Sequence, residues 1–256
     1  MPSTPYNISS GLEYDGLTAP SEFVVQFEDW LNGANLNGAT LLNTTLRDTD
    51  LQDATLDDVD LSMADLTGAQ LVSDGGDRSR TLRQIVSDHE LWIREQGRGG
   101  TRAQLSKVDL SEVDLSDSNL AGADLRQSIL NSATLRRCSF VMTDLTGAKL
   151  VNADLRDADL GGANLTGADL SGAKLADAMI NAIDIREASG ASTGRLWPAI
   201  LSNAKLIGAD LTKANFRGSK LSEADLTDAK LDGANLVDAD YQTATISPEQ
   251  LAKTNH

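Results

Sequence analysis

The amino-acid sequence predicts an all-β solenoid that turns a corner every five residues, and three observations predict it. Leucine or a close substitute recurs every fifth residue from Leu36 to Leu71, from Leu105 to Ile185 and from Leu201 to Ile246, 35 times in all. The residue two places before it is nearly always small, as at Ala123, Ala148, Ala163 and Ala209. A period of five fits neither the alternation of a strand nor the turn of a helix, so it belongs to a larger repeating unit.

On an α-helix a five-residue step advances roughly 500°, and the leucines would spiral round the cylinder without forming a stripe. On a coil with a corner every five residues, Ala153 and Leu155 point inward, Asp154 points outward, and Arg156 and Asp157 make the corner. Four such sides close a square, so Leu125, Leu145 and Leu165 stack. Small residues at the other inward position follow from the narrow interior. Ser128, Cys138 and Thr143 respect this, and Val108, Val113 and Ile183 imply local widening. Coils ~4.8 Å apart would make a rod of nearly nine coils, ~42 Å long.

The elements follow in chain order. Residues 1–31 form an N-terminal segment and cap: Ser21 is an N-cap after Pro20, and Phe23, Val24, Phe27, Trp30 and Leu31 share one face of a short helix. Residues 32–71 are coils. Residues 72–104 interrupt the rhythm, with an amphipathic helix over 79–96 whose face carries Leu82, Ile85, Val86, His89, Trp92 and Ile93, and Gly97 placed to stop it. The expectation is that this face packs on the coils, and that Arg78, Arg80, Arg83, Arg94, Arg98 and Arg102 neutralise aspartates; a projecting contact helix is the alternative. Coils resume over 105–185. Residues 186–200 read as a loop around Ser189 to Gly194, with Trp197 either tucked over the break or exposed as a recognition anchor. Coils occupy 201–246, and 247–256 is a C-terminal helical cap opened by Ser247, Pro248 and Gln250. Either lid could instead serve a homodimer interface.

The runs Ala153-Asp154-Leu155-Arg156-Asp157 and Ala163-Asn164-Leu165-Thr166-Gly167 match A-[DN]-L-x-x, and on these residues the chain closely resembles the pentapeptide-repeat proteins. The resemblance implies a right-handed quadrilateral parallel β-helix, here carrying an inserted amphipathic α-helix and short helical end caps. It implies little about activity, because one fold hosts different functions. Some members resemble B-form DNA in width and charge and bind type II topoisomerases such as gyrase.

Net charge is −16, distributed as −11 over residues 1–71, +1 over 72–104 and −6 thereafter. An acidic surface repels nucleic acid and favours a basic or DNA-binding protein partner, although polar cover for a rod explains outward Asp equally well. Outside the insertion the charge of −17 is comparable in order with the ~25 phosphates of duplex DNA over ~42 Å. Concentration of charge near the N-terminus, and Leu where topoisomerase-binding members carry more Phe, argue the other way.

Catalysis and cofactors find little support. His89 and His256 are the only histidines and Cys138 the only cysteine, so neither a nucleophile with its base nor a zinc set is spelled out. Asp57, Asp58 and Asp60 match no calcium loop. Gly97, Gly99 and Gly100 lack a phosphate-loop context. The expectation is a protein that is no enzyme, with no cofactor, no direct nucleic acid and no membrane contact, soluble and cytoplasmic in a bacterium.

Two outer faces stand out. One stacks Gln104, Asp124, Asp144, Asn164 and Asp184, an acid and amide stripe. The face before it stacks Asn119, Ser139, Asp159 and Met179, with corners including Val141-Met142, and is almost uncharged. Asp124, Asp144, Asp184, Val141, Met142, Met179, His89, Trp92 and Trp197 are the candidate interaction residues. They would let a rigid scaffold bind a protein partner through its faces, helix or loop; the alternatives are a DNA mimic that modulates gyrase and a regulatory or effector protein acting through the helix.

Overall fold

A computed structural model describes residues 80–187 and 190–256, residues 44–51, and positions 31, 33, 34, 36, 41, 54, 64, 66, 68 and 69. The cap expected at 21–31 and the aspartates at 57, 58 and 60 lie outside the described residues, apart from Leu31. The chain forms two compact units, Met1–Gln84 and Ile85–His256.

In the first unit Leu46, Leu51, Ala54, Leu66 and Ala69 are buried. Ala54 and Ala69 donate to the carbonyls of Leu51 and Leu66, three residues back, as a corner requires.

The second unit is a stack of square coils. Each side contributes a single parallel bridge to the next coil, 20 residues on, as in Asp114 to Thr134, Thr134 to Asp154 and Asp154 to Lys174; across the hairpin the same step takes 36 residues, as in Asn164 to Ile200. A step of 20 at five residues per side gives four sides per coil. Leu155 donates to Lys174 O at 2.7 Å, while Asp154 donates to Ala133 O at 2.9 Å, so each side is hydrogen-bonded above and below. Inside, Leu125, Ala153, Leu155, Ala163 and Leu165 are at most 1% exposed, the ladder of leucines and alanines that the spacing predicts. Phe140 and Phe216 share one column with Leu120, Leu160, Ile180 and Leu236, and both are fully buried.

The corners have their own requirement. The second corner residue is left-handed, as at Asn152 (φ 60°), Asp157 (φ 59°) and Gly167 (φ 65°). Gly, Asn and Asp fill that position cheaply, which explains their frequency where the motif writes its last x.

Helix α1 (Arg80–Arg94) falls within the expected 79–96. It ends in a Schellman motif: Gly97 donates to Trp92 O at 2.8 Å and Gln96 to Ile93 O at 3.1 Å. Gln96, at φ 54°, therefore takes the left-handed terminating position that was expected of Gly97, which follows it.

The break after Ala182 differs from the expected loop at 186–200. It is an antiparallel hairpin of β1 (Ile183–Arg186) and β2 (Ser192–Trp197), with Ile183 opposite Trp197 and Asp184 opposite Leu196. The stack resumes with Ala199 and Leu201 buried and Ile200 bridged to Asn164. Ala199 thus occupies the place that Ile183 would have taken, and this offset of 16 (199 minus 183) shifts the five-residue frame by one. Coil packing stops at Ala182, three residues short of the expected Ile185.

At the end of the chain α2 (Pro248–Leu251) carries a full capping box, Ser247 accepting from Gln250 N and Gln250 accepting from Ser247 N. The Gln250 amide also donates to Leu226 O at 2.7 Å and Ala229 O at 2.9 Å, carbonyls of the last coils. No helix among the described residues is long and apolar enough to cross a membrane.

Candidate interaction faces

The outward Asp and Asn residues do local work first. Asp144 Oδ1 accepts from Thr146 N at 3.0 Å and from its hydroxyl at 2.6 Å; Asn164 with Thr166, Asp169 with Ser171, and Asp210 with Thr212 repeat the arrangement. These Asx turns fix the corner that follows. The hydroxyl of Thr212 beside Asp210, and that of Thr227 beside Asp225, hold both carboxyls below the usual aspartate range. The signal is present in the sequence as [DN]-L-[ST], a turn-forming role for outward Asp and Asn beside the polar cover and the acid stripe that the repeat suggests.

The expected acid stripe is weaker than its letters. Asp124 is 5% exposed beneath Arg126, whose Nε donates to it at 2.8 Å. That hydrogen bond holds the Asp124 carboxyl below its ordinary value against the opposing effect of burial. Asp144 remains on this face, with the same Arg126 3.9 Å away. Asp184 does not belong to it: Ile200 takes the rung above Asn164, and Asp184 sits in β1, accepting from the Ser192 hydroxyl at 2.7 Å with Arg186 at 3.5 Å. Sequence reasoning also missed Asp154, nearly buried between Arg136 and Arg156 at 2.8 Å each. The D-L-R triplets at 124–126 and 154–156 are the signal that would have found both.

Bridges place the charges of two other faces in alternation. One column runs Lys149, Asp169, Lys205, Asp225; the other runs Asp154, Lys174, Asp210, Lys230. Opposite charges one rung apart cancel at any distance beyond a Debye length.

The remaining face is the near-neutral one, and its stack is as the spacing predicts. Asn119, Ser139, Asp159 and Met179 follow one another, and the column continues through Asn215, Asn235 and Asn255. Asn235 donates its amide to Asn215 Oδ1 at 3.1 Å. Met142 is 51% exposed and Met179 43%, while Val141 is half-buried.

The hairpin grows from a corner of this same face. Trp197 Nε1 donates to Gly162 O at 3.1 Å, and Gly162 is where the coil leaves room for it: a Cβ there would lie 2.9 Å from the indole and 3.0 Å from Ile183 Cδ1. Met142 donates from its backbone to Gly161 O, one rung above, which sets Met142 beside the corner that the indole covers. Trp197 is both tucked and exposed, anchored by its nitrogen with 46% of its surface open. Leu196 beside it is 65% exposed, and every residue of β2 is open to solvent.

His89 and Trp92 occupy a different place. Their rings stack at 5.5 Å between centroids, but His89 is fully buried and accepts through Nδ1 from Ala103 N at 3.1 Å. Glu90 accepts from Asn119 N at 3.2 Å, taking the donor that a preceding coil would have used. Of the arginines beside α1, Arg98 and Arg102 donate to the carbonyls of Glu95 and Gly122, and Arg94 lies 3.6 Å from Glu95. Cys138 donates to Leu115 O, and burial pushes its thiol up to about 12, which leaves it protonated and unreactive.

A family model described as pentapeptide repeats matches the chain in eight copies over residues 31–68, 103–140, 138–177 and 199–238. Among solved structures, a pentapeptide repeat protein of the Arabidopsis thaliana thylakoid lumen is 31% identical over 44% of this chain and 67% of its own, with a TM-score of 0.35. HetL of Nostoc sp. PCC 7120, involved in heterocyst differentiation regulation, is 25% identical over 84% of this chain and 87% of its own, at 0.32. QnrB1, a plasmid-mediated fluoroquinolone resistance protein, is 14% identical over 88% and 89%, at 0.41. No curated protein matches.

Proposed function

The chain belongs to the pentapeptide-repeat family, whose members fold as right-handed quadrilateral β-helices, and from that premise we propose that it is a non-catalytic scaffold that binds a protein partner. The partner contacts the near-neutral face at Val141, Met142 and Met179, together with Leu196 and Trp197 of the hairpin. One observation carries this reading: the near-neutral column and a cluster of exposed apolar side chains coincide, at the point where the chain departs from its repeat to build a hairpin. Aromatic and methionine side chains on a rigid frame lose little freedom on binding, which suits an anchor.

The arrangement of charge gives less support to an acidic DNA mimic directed at gyrase. Phosphates repeat with one sign, whereas the columns alternate in sign from Lys149 to Asp225 and from Asp154 to Lys230, and Asp124 is covered. Action through α1 alone is also less supported, because His89 and Glu90 are engaged with the coils.

The test is site-specific photo-crosslinking in the encoding organism from positions 142 and 196, with positions 149 and 174 as controls. A protein crosslinked from the first pair and not the second is the expected result. Equal labelling from all four, or inhibition of gyrase supercoiling by the pure protein, would replace this reading.

A further inference from the structure

We propose that the junction between α1 and the first coil of the second unit is an acid-released latch, in which neutral His89 holds the helix and protonation of its imidazole lets it come away. The argument starts from hydrogen-bond polarity. Ala103 N–H points at His89 Nδ1 at 3.1 Å, so this nitrogen must carry a lone pair and the ring proton must be on Nε2. A second proton would enter at Nδ1, setting two donors against each other inside a fully buried site.

What favours the cation at the site is outweighed by its burial. Nε2 is buried and makes no hydrogen bond, the carbonyls of Ala121 and Leu120 being the nearby acceptors. The charged groups that face the ring are Arg102, on the segment entering the coil, and Glu90, on α1. Arg102 is held in place by its 2.6 Å bond to Gly122 O and repels an imidazolium. Glu90 attracts one, but its carboxylate is committed to Asn119 N–H. Burial accordingly pushes the His89 pKa below its ordinary 6.5, against the pull of the two carbonyls.

The sign follows. A group that is harder to protonate when docked leaves docking at full strength above pH 6.5. Below that value the released helix takes up the proton first, and docking weakens by up to about tenfold per pH unit until the docked ring itself titrates. The other ties of this junction, Thr101 N to Asp88 O, Arg102 to Gly122 O and Asn119 N to Glu90, do not involve the imidazole.

Amide hydrogen exchange on the full chain, corrected for intrinsic rates, tests it between about pH 7.5 and pH 5. Protection of the Ala103 and Asn119 amides should fall by about tenfold or more while that of Leu155 holds. His89→Asn, whose Oδ1 replaces the Nδ1 acceptor, should keep Ala103 protected at every pH, and Glu90→Gln should behave as the wild type. Unchanged wild-type protection, or loss of the pH dependence in Glu90→Gln, would overturn the proposal. If His89→Asn leaves Ala103 unprotected throughout, ring NMR of the wild type decides. A His89 midpoint below 6.5 that coincides with the loss of protection supports the latch, and one at or above 6.5 overturns it.

Discussion

Residues 153–155 and 183–185 are written in the same five-residue frame and meet opposite fates. Ala153 and Leu155 are fully buried, and the backbone between them is bonded to the coils on either side. Ile183 and Ile185 keep the frame, yet they lie in β1, paired antiparallel with a strand that is exposed along its whole length. The spacing of apolar residues licenses a coil side; occupancy of the rungs above and below makes it one. In a solenoid each unit is stabilised by its neighbours, so a side without a place in the stack has no interior to enter.

The sharpest way to break that contrast is to put a carboxylate into the ladder. Leu155→Asp buries a charge with no partner and should cost more than about 5 kcal/mol, enough to abolish cooperative unfolding of the second unit in a denaturant titration. A β-rich mutant with an unchanged transition would remove the inward assignment of Leu155. Phe216→Ala comes next: its ring fills the column between Ile180 and Leu236, and the cavity should cost about 3–5 kcal/mol by the same titration.

The coils were legible because one constraint, a narrow filled interior, is imposed afresh every five residues and writes itself repeatedly. The hairpin was not, because Ile183 and Ile185 satisfy that periodic constraint while serving a strand pair. Two marks did exist: Ile183 is too large for the small inward position, and the frame slips by one before Leu201. Read together they locate the departure at Ala182 and not at Ile185. The neutral face was legible as far as Met179 for the same reason as the coils, and Asp184 was misplaced on the acid face because its frame had already left the stack. Burial of Asp124 under Arg126 depends on side-chain reach, and periodicity carries no information about that.

Smaller changes sharpen the boundary between ladder and hairpin. Gly162→Ala adds a methyl at a left-handed position and presses on the Trp197 indole, which should cost about 1–2 kcal/mol and alter Trp197 fluorescence, with Leu155 amide protection unchanged. Asp210→Ala removes the acceptor for Thr212 N–H and hydroxyl, and a loss of about 0.5–1.5 kcal/mol is expected on thermal unfolding.

The smallest stability effect belongs to Leu196→Ser, and the comparison makes it the most informative. Leu196 is 65% exposed, so truncation creates no cavity and leaves no buried group unpaired; unfolding should shift by no more than about 0.5 kcal/mol. Under the proposed function, a leucine conferring so little on its own fold, on a strand whose neighbour Trp197 is already tied to Gly162 O, serves as a contact for the partner. Crosslinking from position 142 should therefore drop in Leu196→Ser while the melting curve stays in place. A melting curve that falls instead would mean that Leu196 supports the hairpin, and the line between ladder and hairpin would have to be drawn beyond it.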